Sequence, residues 1–235
     1  DLDPPFVLLR PRHQTTPFIF CSPHSGRRYP RALLARTRLD FSMLRKSEDC
    51  YVDELFAPVV PLGAPLIAAQ FPRAFLDVNR EPYELDPELF SEPLPAFANA
   101  HSVRVAAGLG TIARIVADGA EIYGERLPLS IAYQRIDRLY RPFHEALEAL
   151  VLETRDRFGV AILVDCHSMP SASNAQVQGA RPHFVIGDRF GCACDGRLTR
   201  LVRDILGSGG FDVQLNRPYA GGFITEHYGR PVQGI

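Results

Sequence analysis

The chain has 235 residues, 46% of them hydrophobic, and a formal net charge of −1. That length can bury a substantial core in a single domain without structural metals or disulfides, and a near-neutral charge lacks the basic footprint of a nucleic-acid or anionic-membrane binder. No apolar run approaches the roughly 20 residues of a membrane span, no signal-peptide core opens the chain, and the cysteines at 21, 50, 166, 192 and 194 lack a secreted scaffold's spacing. A cytoplasmic protein is expected.

In chain order, Phe6-Val7-Leu8-Leu9 reads as an edge strand after a proline-rich lead-in. The first strong strand is residues 17–21, ending in Ser22-Pro23-His24-Ser25-Gly26. Pro30 opens a short helix, a favoured place for proline. Ser47 reads as the N-cap of another helix, with Glu48 and Asp49 in its first turn, where the helix dipole favours acids. Residues 65–69 form a short buried strand, and 81–100, proline-rich and without a period, read as a loop that walls or covers a site. Residues 127–158 form one long helix or two, interrupted at Pro142, with a stripe of Phe143, Leu147, Leu150 and Val151. A central strand follows at 160–165, then a flexible-looking polar segment at 171–180, a strand at 183–187, a helix at 195–206 and a strand at 211–215. Asn216 to Phe223, with Gly221-Gly222, reads as a rigid, Gly-rich loop and His227 to Pro231 as another turn. Strands alternating with helices predict an α/β fold, an open and mostly parallel sheet with helices on both faces.

Two strand ends carry the chemistry. Ala161-Ile162-Leu163-Val164 is a continuous apolar run that delivers Asp165, Cys166, His167 and Ser168, and residues 17–21 deliver His24 and Ser25 in the same way. Continuous apolar strands are those covered on both faces, and ligands in α/β sheets bind at the carboxyl ends of strands. Two strand-end His-Ser pairs match a metal site assembled from separate strands, since catalytic zinc takes three protein ligands plus water. Asp49, Asp53 and Asp165 are candidates for a carboxylate ligand or for the partner that orients a His ring. Arg73, Asn79 and Arg80 suit a carboxylate-bearing small molecule. Alternation along a strand puts Asp165 and His167 on one face. His144 is either a core residue or part of the site.

Competing chemistries lack their motifs. No Gly-x-Ser-x-Gly elbow, P-loop or Gly-x-Gly-x-x-Gly turn is present. A non-catalytic protein that holds a small dicarboxylate with its arginines is the alternative from another class.

Six segments in register resemble the N-formylglutamate amidohydrolase family over nearly the whole chain: Pro23-His24-Ser25-Gly26, Ser47-Glu48-Asp49 with Val52 to Phe56, Asp77-Val78-Asn79-Arg80, Tyr140 to His144, Asp165 to Met169, and Pro218 to Gly222. The resemblance implies a distant relationship to zinc carboxypeptidases and aspartoacylases. It also implies a three-layer α/β/α fold around a mixed, mostly parallel sheet, and zinc-dependent hydrolysis of an N-acyl, specifically N-formyl, acidic amino acid. It makes His24 and His167 zinc ligands and Arg73, Asn79 and Arg80 the carboxylate grip. His144, Tyr219, Gly221 and Gly222, within the matching segments, stand on the substrate side. Arg27 occupies the position where carboxypeptidases carry a Glu ligand, so Asp49 is favoured as third ligand, with Glu48 and Asp53 behind it. The relatives' general base lies in a strand expected beyond Ile235. Either that segment is missing from the chain or an acid such as Glu226 substitutes, with Asp165 the other acid of the catalytic set.

Overall fold

Three of the apolar runs align in parallel in the computed structural model, which describes residues 2–116, 119–170 and 182–235. The polar segment at 171–180 lies outside the described residues. Strands β1 (Phe6–Leu9), β2 (Phe18–Ser22), β3 (Leu66–Ala69) and β4 (Ile162–Asp165) form a mixed sheet in the order β1-β3-β2-β4. β3, β2 and β4 are mutually parallel, and β1 is antiparallel on the edge. Cys21 pairs with Ile67 on one side and Asp165 on the other. This register decides where the site forms, because all three parallel strands release their loops at one edge of the sheet.

Helices cover both faces. Directly paired residues share a face, so Phe6, Ala69, Ile67 and Cys21 lie together. On that side Phe6 packs edge-on to Phe143 of α6 (Arg141–Phe158), with ring centroids 6.2 Å apart. Phe20 points the other way and meets Phe56, at the end of α3 (Val52–Phe56), at 5.7 Å. The predicted stripe of α6 is its buried face: Phe143, Leu147 and Leu150 are fully buried, each stabilising by about 1.5–3 kcal/mol.

Several elements differ from the sequence reading. β4 is an edge strand among the described residues, and its four residues are only half-buried. The apolar run reflected a partly covered edge rather than a central position. The strand at 183–187 is β5 (Phe184–Ile186), which pairs in parallel with β6 (Val213–Leu215) in a separate two-stranded sheet, with α7 (Gly196–Ser208) between them in the chain. Pro142 does not break the long helix. It falls in the first turn of α6, directly after a π-helical turn at Ile136–Tyr140 that joins α6 to α5 (Leu129–Arg135) and accommodates the missing donor. Residues 81–100 are irregular as expected, yet Leu85, Leu89 and Phe90 are core residues, which anchors this stretch as packing material rather than a free lid.

The short helices were the hardest to read. Pro30 does precede α1 (Arg31–Leu34). Asp40 caps α2 (Phe41–Arg45) and Ser102 caps α4 (Val103–Ala106), each accepting an amide proton from the third residue on. Ser47 caps nothing; its hydroxyl donates to the Leu44 carbonyl. Phe223–Tyr228, which runs from the end of the expected loop into the expected turn, is a helix, α8. No helix among the described residues is long and apolar enough to cross a membrane.

Candidate metal centre

The loops leaving β2, β3 and β4 converge on three potential ligand atoms. From β2, His24 is buried, and its Nε2 donates to Asp77 Oδ1 at 2.7 Å. That bond commits one ring nitrogen and leaves Nδ1 to present a lone pair. This atom is buried with no hydrogen-bond partner and lies 3.6 Å from Asp49 Oδ2. From β4, His167 directs Nδ1 to the same Asp49 oxygen at 2.8 Å. The ligand atoms offered by His24, Asp49 and His167 lie within 4.8 Å of one another. An unpartnered buried imidazole nitrogen is costly unless something occupies it. Two imidazoles and one carboxylate are a donor set that suits zinc, so the residues present fit the ion.

Asp49 arrives by a route the helix-dipole reading missed. Instead of opening a helix, it sits in a turn whose amide donates to the His24 carbonyl at 3.1 Å. α3 begins only after Tyr51, which takes a left-handed conformation (φ 62°). Of the alternative carboxylates, Glu48 accepts from Tyr29 and Arg45. Asp53 is paired with Arg27 at 3.0 Å, and Arg27 also reaches Glu54 at 2.9 Å. Neither acid joins the cluster.

Around the three atoms stands a ring of orienting groups. Asp165 Oδ2 forms an ion pair with His167 Nε2 at 2.9 Å and accepts from Asn79 Nδ2 at 3.1 Å, and that amide nitrogen also stands 3.1 Å from Nε2. Asp165 therefore positions His167 rather than facing a reaction centre directly. Burial pushes the His167 imidazole down, but Asp165 and then Asp49 outweigh it and raise its pKa to about 10. Burial likewise opposes the charge on Asp49, and the bond from His167 together with the nearby His24 overrides it, holding the carboxyl well below its usual range. The same contest at Asp77 is won by Arg73 and Arg80, with His24 adding to them.

Asp77 is the member of the cluster's surroundings that the sequence did not single out. Besides His24 it accepts from Arg73 at 2.7 Å and from the Asn79 amide at 2.8 Å, and it is 3% exposed. The available signal was an acid in a stretch with apolar residues at 75, 76 and 78, since a buried carboxylate requires partners.

The expected substrate side is only partly realised. Arg73 and Arg80 flank Asp77, but Arg80 spends Nε on the Leu109 carbonyl (2.9 Å) and one terminal nitrogen on the Asn79 carbonyl (2.8 Å). Asn79 is a brace. Its Oδ1 accepts from the Ile224 amide at 2.8 Å in the first turn of α8, while Nδ2 donates to Asp165. Gly222 lets that contact form, because a Cβ there would stand 2.5 Å from Asn79 Oδ1. Gly221 has φ +108°, and a Cβ on it would meet Thr225 at 2.8 Å. Both glycines thus shape the docking of α8. Tyr219 is 47% exposed and within electrostatic reach of Arg73.

Two expectations are corrected outright. His144 does not present a free ring to substrate. Nε2 donates to the Val78 carbonyl at 2.8 Å and Nδ1 meets the Tyr228 hydroxyl at 3.0 Å, the ring lies against Tyr140, and burial pushes its pKa down to about 4. Glu226 does not reach the cluster as a base: its side chain is 58% exposed and bound to Arg189 at 2.6 Å. The turn of α8 that brings Ile224 inward turns Glu226 outward.

Comparison with known proteins completes the description. A family model described as N-formylglutamate amidohydrolase matches residues 16–235. An N-formylglutamate deformylase of Pseudomonas putida is 27% identical over 222 residues, covering 93% of this chain and 77% of that protein. One from Pseudomonas aeruginosa is 28% identical over 223 residues, with the same coverage. The crystal structure of N-formylglutamate amidohydrolase from Ralstonia eutropha JMP134 matches with a TM-score of 0.92 at 34% identity, covering 98% of this chain and 82% of that one. A gene product of Agrobacterium tumefaciens matches at a TM-score of 0.59 and 17% identity, covering 91% and 73% of the two chains, and supports the fold alone.

Proposed function

Because the chain belongs to the N-formylglutamate amidohydrolase family, matched from residue 16 to 235, we propose that it hydrolyses the formyl amide of N-formylglutamate with zinc held by His24, Asp49 and His167. The substrate assignment follows what the two Pseudomonas relatives are called. One observation carries the metal assignment: the buried, unpartnered Nδ1 of His24 beside Asp49 and His167. A mixed sheet that delivers its ligands from adjacent parallel strand ends supports the zinc-carboxypeptidase-like reading of the fold.

The chemistry zinc supplies when bound is Lewis acidity, which polarises an amide carbonyl and acidifies water near neutral pH. The chain's own residues do the rest. Asp77 fixes the ring of His24 so that Nδ1 faces the ligand position. Asp165 keeps the Nε2 proton on His167, so the proton lost on metal binding is the one at Nδ1, now shared with Asp49. Metal affinity accordingly rises with pH. Arg73 and Arg80 retain unspent N–H groups beside the centre, where they hold the substrate's nearer carboxylate and orient the formyl carbon.

The test is elemental analysis after exhaustive dialysis, paired with formate release from N-formylglutamate. About one zinc per chain is expected, lost in His24→Ala and in His167→Ala together with activity. Saturable, chelator-insensitive binding of an intact dicarboxylate, with no zinc taken up, would replace this reading with that of a binding protein.

A further inference from the structure

We propose that Arg104 holds the side-chain carboxylate of the substrate, making it the residue that selects a dicarboxylate; this inference rests on the function proposed above. Arg104 lies in α4, on a segment tied to the Asp77–Arg80 stretch. Its carbonyl accepts from the Leu109 amide at 2.8 Å, and the Leu109 carbonyl in turn accepts from Arg80 Nε at 2.9 Å. The Thr111 carbonyl accepts the amide of Asp77, and the Thr111 amide donates to the Glu84 carbonyl, each at 2.8 Å. Gly110 packs so closely on Glu84 that a Cβ would stand 2.3 Å from its carbonyl oxygen. The backbone under Arg104 is therefore rigidly placed relative to Arg80.

The guanidinium is held only by a long ion pair among the described residues. Its nearest acid among the described residues is Glu84, whose Oε2 lies 3.9 Å from NH1, beyond hydrogen-bond reach. That oxygen is buried with no hydrogen-bond partner, while Oε1 accepts from Ser102. The side chain of Arg104 is 36% exposed, so its guanidinium is open to a ligand from solvent. Arg73, Arg80 and Arg104 together face three buried carboxylates, Asp49, Asp77 and Glu84. Burial lowers the pKa of Arg80, Asp77 opposes the shift, and the charges of Arg73 and Arg104 lower it further. The three cations repel one another, and Arg104, whose contact with its counter-charge is the longest of the three, is the one left to take a further anion.

Reach decides which carboxylate goes where. In N-formylglutamate the α-carboxylate is two bonds nearer to the formyl carbon than the side-chain carboxylate. Arg73 and Arg80 touch the Asp77 that holds His24, whereas Arg104 meets the centre only through Arg80. The nearer carboxylate therefore falls to Arg73 and Arg80, and the farther one to Arg104.

The test compares zinc-loaded wild type, Arg104→Gln and Arg104→Lys on N-formylglutamate and on N-formylglutamine, which differ only in that carboxylate. Arg104→Gln is expected to lower kcat/KM on N-formylglutamate roughly 10- to 100-fold, the value of a charge-assisted pair, and to change it less than about threefold on N-formylglutamine. Arg104→Lys should recover part of the preference. Equal losses on both substrates, or no loss on either, overturn the proposal. Calorimetric titration with glutarate separates it from the hydrolase reading. Glutarate binding that depends on Arg104 in a protein that cleaves no formyl amide upholds the anchor and sinks the hydrolase. Cleavage of N-formylglutamate with glutarate binding indifferent to Arg104 does the reverse.

Discussion

Asp77→Asn is the substitution that most directly probes how the centre is held. It preserves shape while removing the charge that Arg73, Arg80 and His24 all face. With the amide oxygen in the Oδ1 position, the bonds from His24 and Asn79 survive, and the amide NH2 then opposes Arg73. Losing one partner of a buried ion pair costs about 3–5 kcal/mol. In a domain of this size each kcal/mol lowers Tm by roughly 2–4 °C, so a fall of about 6–20 °C is expected, with the lower end favoured because the Arg73 side chain is 26% exposed. Zinc affinity should drop by about 10–100-fold, because a neutral amide makes His24 a weaker ligand than a carboxylate does. Thermal unfolding of the metal-free protein and competition with a chromogenic chelator read the two effects separately. Zinc affinity within threefold of wild type, with Tm lowered by less than about 2 °C, would refute the role given to Asp77.

Gly222→Ala should displace Asn79, release the Ile224 amide and reduce kcat/KM by at least about tenfold; an unchanged rate would mean that α8 docks without this contact. Glu226→Gln removes only an exposed pair with Arg189, worth about 0–1 kcal/mol. Its activity should stay within about threefold of wild type, and a hundredfold loss would restore Glu226 as a base. His144 is part-buried with its pKa lowered to about 4, below its unfolded value. The fold therefore binds fewer protons there than the unfolded chain, and the stability His144 contributes is complete above about pH 6.5 and is lost as pH falls toward 4, about 3 kcal/mol in all. Urea titrations at pH 7 and pH 4.5 should show a smaller acid loss in His144→Gln than in wild type, and parallel losses would disprove the linkage.

What could be read from the chain divides along a physical line. Period and apolar content located β2, β3, β4 and the buried stripe of α6, because those signals are local. The strand-end residues His24 and His167 followed from the same signals, since a strand end predicts where a polar side chain emerges. The role of Asp77 was not legible: it depends on β3 lying beside β2 in parallel, which no local pattern records. Ser47 misled because its neighbours have helix-start composition, whereas the backbone bond from Asp49 to His24 claims the segment for a turn. Glu226 misled because its proximity to Gly222 in sequence says nothing of which way α8 turns its side chains. His144 had helical spacing compatible with core or site, and only its bonds to Val78 and Tyr228 place it in the core.

The edge position of β4 has a consequence for how the centre comes apart. Among the described residues β4 pairs with β2 alone, and its tip is secured by Asp49 and Asn79, which grip His167 and Asp165 across 118 and 86 residues of chain. Those side-chain bonds act as a clasp on an otherwise half-secured strand. Loosening the edge and dismantling the centre are then a single event. Whatever occupies the centre also fastens the sheet, so occupancy of the centre reports on the integrity of that edge.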